Sequence, residues 1–75
     1  MSGRKLPDLK AKELVSILEN AGFVKWRQKG SHLTMYRASD KRALTVPIHF
    51  SQSIPKGTLR AIIRNSGLPM EDFLH

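Results

Sequence analysis

Apolar residues recur at intervals of three and four residues in two stretches of the 75-residue chain. This helical spacing predicts a first helix over residues 11–21 and a second helix over residues 55–66. Gly22 and Gly67 follow these stretches directly, and glycine readily adopts the left-handed conformation that ends a helix. One further helical turn is expected within residues 68–75, where it would return Phe73 and Leu74 to the core.

Between the two helices, apolar and polar residues alternate, which is the pattern of half-buried strands. It predicts strands over residues 23–28, 31–37 and 43–48, with a tight turn at Lys29-Gly30 and a polar turn over residues 38–42. Pro47 lacks the backbone N–H that a central strand needs, so the third strand lies at an edge there or ends there. Strict alternation in the first strand assigns three residues to each face: Phe23, Lys25 and Arg27 to one, and Val24, Trp26 and Gln28 to the other.

The predicted order α-β-β-β-α defines a single α+β domain over residues 1–75. We expect a three-stranded antiparallel sheet with both helices packed on one face and the other face open to water. Double-stranded-RNA-binding domains share this order, and they contact A-form RNA through its shape, phosphates and 2′-hydroxyls. No segment has the ~20 apolar residues of a membrane span and none resembles a signal peptide, so we expect a cytoplasmic protein without membrane contacts.

The net charge of +7 is concentrated in one part of the chain. Residues 25–64 carry a single acidic residue, Asp40, and nine basic ones: Lys25, Arg27, Lys29, Arg37, Lys41, Arg42, Lys56, Arg60 and Arg64. Such a block indicates a polyanionic partner, which would be a nucleic acid, an acidic membrane surface or an acidic protein. A solvated surface that keeps a small protein soluble is the alternative interpretation.

Histidine is the residue type best suited to chemistry in this sequence. The chain has no cysteine, no glycine-rich phosphate loop and no paired carboxylates, and its three histidines lack the spacing of metal ligands. RNA carries its own nucleophile, the 2′-hydroxyl, so its cleavage needs a proton acceptor, a proton donor and positive charge beside the phosphate. Histidine, with an ordinary pKa of about 6.5, suits both proton transfers, and Lys and Arg supply the charge. This scheme uses no metal and no cofactor.

His32 is the best-placed candidate, because it follows a turn at the start of a strand, just after Arg27 and Lys29. His49 has two interpretations: it closes a loop through a hydrogen bond, or it contacts RNA or acts as a second acid–base group. His75 is terminal and carries no expectation.

Two aromatic residues leave alternatives open. Trp26 would serve as a stacking platform for a base, or it would lie in the core or in a partner interface. Tyr36 would stack on a base or pack on a helix, and packing on a helix is the favoured interpretation.

Several segments, in this order and at these intervals, resemble the HicA toxins of HicA–HicB type II toxin–antitoxin systems. They are Leu6-Pro7, Ala21-Gly22-Phe23, Arg27-Gln28-Lys29-Gly30-Ser31-His32, Val46-Pro47-Ile48-His49, Lys56-Gly57-Thr58-Leu59, Ile62-Ile63, Gly67-Leu68 and Glu71-Asp72-Phe73. The resemblance covers about residues 6–74. Two departures are Lys10, where members often have a helix-capping Ser or Thr, and residues 50–53, which lack the basic residues often found there.

The resemblance implies a fold like that of double-stranded-RNA-binding domains and an mRNA interferase that cleaves RNA without a metal and arrests translation and growth. It implies that His32 is the catalytic residue and that a HicB antitoxin binds the toxin and covers this histidine. DNA would be contacted only indirectly, through the antitoxin complex. The candidate RNA contacts are Arg27, Lys29, Ser31, His49, Lys56 and Arg60. The competing hypotheses are a non-catalytic double-stranded-RNA-binding module and a protein whose basic face chiefly binds an acidic antitoxin.

Overall fold

The computed structural model describes residues 6–48 and 52–74. Its elements are helix α1 (Ala11–Asn20), strands β1 (Val24–Lys29), β2 (His32–Arg37) and β3 (Arg42–Pro47), helix α2 (Lys56–Ser66) and a 3-10 helix (Met70–Phe73). The predicted order α-β-β-β-α is therefore confirmed, and the bounds of the helices and strands lie within one residue of those expected. Neither α-helix in the described part of the chain is long and apolar enough to cross a membrane.

The three strands form an antiparallel sheet in the order β1-β2-β3, so β2 is central and Pro47 ends an edge strand. One face of the sheet carries the apolar residues of β2 and β3, and both helices contact β3. The buried side chains of this layer are Leu33, Met35, Leu44 and Val46 from the sheet, and Leu14, Val15, Leu18, Leu59, Ile62 and Ile63 from the helices. Phe73 of the 3-10 helix is fully buried in the same core, as expected. We call the opposite side of the sheet the open face.

The expectation of strict alternation in β1 is wrong, because a β-bulge interrupts the strand. Lys25 pairs with Met35 and Arg27 pairs with Thr34, so Trp26 is one additional residue opposite a regular stretch of β2. Directly opposed residues share a face of the sheet, which places Lys25 on the helix side and Arg27 on the open face. A bulge brings two consecutive side chains to one side, here Trp26 and Arg27. The strand accommodates the bulge because it is an edge strand whose six residues are all exposed.

The turn between β1 and β2 lies one residue later than predicted. Lys29 is the last residue of β1 and pairs with His32, which leaves Gly30-Ser31 as the turn. Gly30 has a φ of +59°, the positive value that the first position of a type II′ turn requires. The side-chain amide of Gln28 donates to the Gly30 carbonyl over 3.2 Å and braces the turn from the strand.

Helix α1 begins without a side-chain cap from Lys10, as its residue type predicts. The Glu13 carboxylate instead accepts a hydrogen bond from the Lys10 backbone N–H over 2.9 Å, which is one half of a capping box. The helices end where glycine was expected to end them, with φ values of +100° at Gly22 and +72° at Gly67.

Both helix C-termini are held to the sheet by a group that we call the arginine clamp, consisting of Arg37, Asp40 and Arg42. The Arg37 guanidinium donates to the carbonyls of Ala21, after α1, and Ser66, at the end of α2, over 3.1 Å each. Arg42 Nη1 donates to the carbonyl of Asn65 over 3.1 Å. These contacts satisfy carbonyl groups that a helix end leaves without partners and place positive charge at the negative ends of both helix dipoles.

Asp40 joins the two arginines of the clamp. It accepts from Arg37 Nε and Nη2 over 3.0 and 2.7 Å, and from Arg42 Nε over 2.8 Å. These hydrogen bonds lower the pKa of the Asp40 carboxyl to about 2, and the contribution from Arg37 is the largest. The hydrogen bond with Asp40 raises the pKa of Arg37 above its already high usual value. Arg37 also lies over the Phe23 ring, with its Cζ 4.6 Å from the ring centroid. Two of the nine basic residues in the charged block are thus committed to holding the fold.

Candidate functional site

His32 lies at one end of the open face, at the first position of the central strand. Its direct neighbours across the sheet are Lys29 on β1 and Pro47 on β3. Directly opposed side chains in an antiparallel sheet have Cβ atoms about 4.5–5.5 Å apart, so the ammonium group of Lys29 can reach a group bound at the imidazole. His32 is exposed, and no hydrogen bond or ion pair ties its side chain to another one within the described residues. The imidazole is therefore free to meet a ligand.

The bulge adds a second cation to this surface. Arg27 is opposite Thr34, the next open-face residue along β2 after His32, and Thr34 is opposite Thr45. With strict alternation Arg27 would have pointed toward the helices, away from His32. The register instead gives His32 two cations on its own face, Lys29 beside it and Arg27 one pair further along the sheet.

Among the residues that the structure describes, none on the open face is acidic. Its positions, from the register of the three strands, are Val24, Trp26, Arg27, Lys29, His32, Thr34, Tyr36, Ala43, Thr45 and Pro47. The positive charges of Arg27 and Lys29 are consequently not neutralised locally, in contrast to those of the arginine clamp. An unneutralised pair of cations beside an exposed imidazole suits the binding of a phosphate group.

Two aromatic rings occupy the part of the open face beyond Arg27. The centroids of Trp26 and Tyr36 are 5.8 Å apart with the ring planes tilted by 46°. The Arg27 guanidinium lies 5.7 Å from the centroid of the indole. Trp26 remains 63% exposed, so the interpretation as a core residue is wrong. The favoured interpretation of Tyr36 is also wrong, because β2 alternates and turns this side chain away from the helices toward Trp26.

Ser31 lies in the turn that precedes His32. Its backbone carbonyl accepts a hydrogen bond from the Ile48 N–H over 2.6 Å, which continues the ladder between β2 and β3 past Pro47. The residue itself is exposed. This contact fixes the turn, and with it the start of the strand that carries His32, to the end of β3.

The two candidates on α2 lie in the helix layer rather than on the open face. Lys56 Nζ forms an ion pair with Asp8 Oδ1 at 2.8 Å and donates to the carbonyl of Leu6 over 2.7 Å. The hydrogen bond and charge of Lys56 lower the pKa of the Asp8 carboxyl below its usual value. Arg60 is exposed one turn further along α2. Lys56 thus tethers the segment that precedes α1, and neither residue shares the face of His32.

His49, the remaining candidate RNA contact and the second acid–base candidate, lies outside the described residues, as do Phe50 and Ser51. Its proposed roles stay predictions. Among residues 6–48 and 52–74, no three His, Asp or Glu side chains come together in a group that would hold a metal ion.

Sequence reasoning placed Arg27 on the wrong face because it missed the bulge. The available signal was the polar character of β1, which has a charged or amide side chain at four of six positions. A strand polar on both faces is an edge strand, and edge strands are where bulges accumulate. The threonines at positions 34 and 45, which form the middle of the open face, were also not singled out.

These features describe a small α+β domain whose open sheet face presents a histidine, two unneutralised cations and two aromatic rings. A family model described as the HicA toxin of bacterial toxin–antitoxin systems matches residues 11–68. The chain therefore belongs to the HicA toxins, and it is the toxin of a toxin–antitoxin pair. The match includes all three strands and both α-helices. No curated protein matches the chain.

Proposed function

We propose that this toxin is a metal-independent endoribonuclease that cleaves mRNA, with His32 as its catalytic residue. The observation that carries the proposal is the position of His32 on the open face: exposed, directly opposite Lys29 and on the same face as Arg27, with no acidic group on that face. Membership of the HicA toxins supports a growth-inhibiting activity. The reaction itself is inferred from the residues of the site.

The site supplies one acid–base group, His32, and two cations for cleavage by the RNA 2′-hydroxyl. The 2′-oxygen forms a bond to phosphorus as its proton leaves, and the bond from phosphorus to the 5′-oxygen breaks as that oxygen gains a proton. His32 takes part in this proton transfer, and its free, solvent-facing imidazole suits either the accepting or the donating step. Lys29 binds the phosphate beside His32 and stabilises the added negative charge of the transition state, and Arg27 holds the neighbouring phosphate.

The partner that neutralises the toxin is, in this proposal, a HicB antitoxin that covers His32. A protein seated on the open face would bury the imidazole and pair with Lys29 and Arg27 at once. Antitoxin and RNA would then compete for one surface. Titration of the antitoxin into a toxin–RNA complex should release the RNA, and simultaneous tight binding of both would contradict this part of the proposal.

The central experiment compares the wild-type protein with His32→Ala on a labelled single-stranded RNA in buffer containing EDTA. We expect the variant to cleave about 10²- to 10⁴-fold more slowly, the usual contribution of a positioned acid–base group. The free energy of unfolding should stay within about 0.5 kcal/mol of wild type, because the replaced side chain is exposed. A substrate with a 2′-deoxyribose at the cleaved position should resist both proteins.

His75→Ala is the matched control, since it also removes one histidine, and it should cleave at the wild-type rate. Unchanged cleavage by His32→Ala, or loss of wild-type cleavage in EDTA, would overturn the proposal. The second candidate function is a non-catalytic RNA-binding module, which the aromatic pair and the two cations of the open face favour. Tight, salt-sensitive binding of RNA without any cleavage by the wild-type protein would select this alternative.

A further inference from the structure

The aromatic pair on the open face lies outside the buried core of the domain. Trp26 is the residue added by the bulge, and the pairing of β1 with β2 is regular on both sides of it. Its indole is 63% exposed, although a side chain of this size contributes most to folding when it is buried. On this face the indole neighbours the Tyr36 ring and the Arg27 guanidinium. An exposed ring flanked by a second ring and a cation is suited to a ligand with a flat apolar surface.

The charge around the pair identifies the kind of ligand. Arg27 lies 5.7 Å from the indole centroid, Lys29 follows on the same face, and no acidic side chain shares that face. A ligand with a flat ring and a nearby negative charge matches this combination. Nucleotides have both, and proteins that bind single strands place aromatic rings under the bases and cations along the phosphates.

We propose that Trp26, Tyr36 and Arg27 form a stacking site for an unpaired base of the RNA strand that is cleaved at His32. The inference rests on the proposed function and adds that the RNA substrate is single-stranded. Bases in a duplex are stacked on one another and offer a protein only their edges and the backbone, whereas an unpaired base can stack on an aromatic side chain. The toxin therefore requires single-stranded RNA, although its order of elements matches that of double-stranded-RNA-binding domains.

The spacing along β2 relates the stacked base to the cleaved bond. Tyr36 lies four positions after His32 on β2, which corresponds to about 13 Å at the rise of an antiparallel strand. A base on the aromatic pair and a phosphate at His32 thus belong to different, neighbouring nucleotides of one extended strand. Arg27 and Thr34 lie between them on the sheet, where the connecting phosphate passes. Trp26 is in this proposal a positioning residue and His32 the catalytic one.

Trp26 is the only tryptophan in the chain, so its fluorescence reports on this site alone. We would titrate the wild-type protein with a mixed-sequence 2′-O-methyl RNA, which has no free 2′-hydroxyl and is not cleaved. The single strand should quench the indole emission, whereas the same strand in a duplex and an abasic strand of equal length should leave it nearly unchanged. Equal quenching by single strand and duplex would overturn the inference, as would quenching by the abasic strand.

Substitution tests whether stacking contributes to binding. Trp26→Ala should bind the labelled single strand about 5- to 100-fold more weakly in fluorescence anisotropy, as expected for one lost base–aromatic stack. Trp26→Phe should recover most of the affinity, because it restores a ring. Met70→Ala is the matched control, since Met70 is also a large exposed apolar residue but lies in the 3-10 helix, and it should bind as wild type. Circular dichroism confirms that each variant is folded.

The cleavage kinetics separate this inference from the proposed function. On single-stranded RNA, Trp26→Ala should raise KM by the same 5- to 100-fold and change kcat by less than about threefold, because the loss is one of binding. His32→Ala should lower kcat and still show quenching by RNA. Affinity of Trp26→Ala within twofold of wild type would overturn the stacking site and leave catalysis by His32 standing. Normal quenching without cleavage by the wild-type protein would overturn catalysis by His32 and leave the stacking site standing.

Discussion

The two ends of the central strand carry basic residues in different roles. At the end of β2, Arg37 and Arg42 are bonded to Asp40 and to backbone carbonyls from both helix ends. At its start, Lys29 lies beside His32, and neither has an acidic partner on the open face. One end of the basic block holds the domain together, and the other leaves its charge available. Net charge alone does not distinguish the two uses.

Neutralising the two open-face cations should have the largest effect among the changes that test the difference between the two ends of the strand. Arg27→Gln with Lys29→Gln should lower kcat/KM on single-stranded RNA by about 10- to 100-fold, the equivalent of one or two lost charge-assisted contacts. The slope of log affinity against log salt concentration should decrease in magnitude by about 0.7 for each lost phosphate contact. Unfolding in urea should be nearly unchanged.

The matched control for this double variant is Lys41→Gln with Arg64→Gln, which removes the same charge from exposed positions outside the open face. It should retain most of the activity and most of the salt dependence. Equal losses in the two double variants would mean that overall charge, rather than the open face, attracts the RNA.

A glycine next to the arginine clamp gives the second largest expected effect, this time on stability. Gly67 has a φ of +72°, and a Cβ there would lie 2.7 Å from Arg42 Nε. Gly67→Ala should lower the free energy of unfolding by about 1–2 kcal/mol, because the left-handed backbone is strained and Arg42 must move. Cleavage by the folded protein should not change.

Gly57→Ala is the control for Gly67→Ala, since Gly57 lies within α2, the helix that Gly67 ends, and no described atom outside its own part of that helix lies within 4 Å of the added methyl group. Alanine should stabilise that position by about 0.5–1 kcal/mol. The two Gly→Ala substitutions should therefore change the free energy of unfolding in opposite directions, as measured by urea denaturation. Destabilisation by both would indicate that the effect at Gly67 does not come from the arginine clamp.

Removing the Asp40 carboxylate should have a smaller effect, because solvent reaches this group. The folded-state pKa of Asp40 is lowered to about 2 from an ordinary value near 3.8. A lowered pKa contributes stability above the ordinary value, and that stability is lost as the pH falls through about 2. Asp40→Asn should therefore melt at a lower temperature than wild type at pH 7, and the difference should shrink between pH 4 and pH 2. A difference in Tm that is constant over this range would rule out the carboxylate charge as its source.

The smallest prediction concerns the turn that carries Asp40. Lys41 has a φ of +56°, a conformation that glycine adopts without steric cost. Lys41→Gly should raise the free energy of unfolding by about 0.5 kcal/mol, measured in urea, and leave RNA cleavage unchanged. A decrease in stability would show that the Lys41 side chain contributes more than its backbone strain costs.

Local patterns in the sequence were sufficient to predict the helices and strands. The apolar spacing that places Leu59, Ile62 and Ile63 on one face of α2 follows from helical geometry, and Gly67 ends that helix by its own backbone preference. These features depend on residues close in sequence. The HicA resemblance likewise rested on short segments, and it was confirmed over residues 11–68.

The functions of individual basic residues could not be predicted in this way, because distant contacts decide them. Arg37 bonds to the carbonyl of Ser66, 29 residues away, and Lys56 to that of Leu6, 50 residues away. The side of the sheet on which Arg27 lies depends on a bulge whose position is set by the pairing of two strands. Composition identified a basic block, and only the register divided it into a structural part and an open part.

The bulge at Trp26 has a consequence for how the toxin can change during evolution. Without this residue, Lys25 and Arg27 would be consecutive and would still oppose Met35 and Thr34 in regular antiparallel pairing. A deletion of three nucleotides would therefore remove the aromatic ring, while His32 and both open-face cations kept their places. An insertion of the same length would create it again. In our proposal, the base-stacking site can therefore be gained or lost by a single codon, separately from the groups proposed for cleavage.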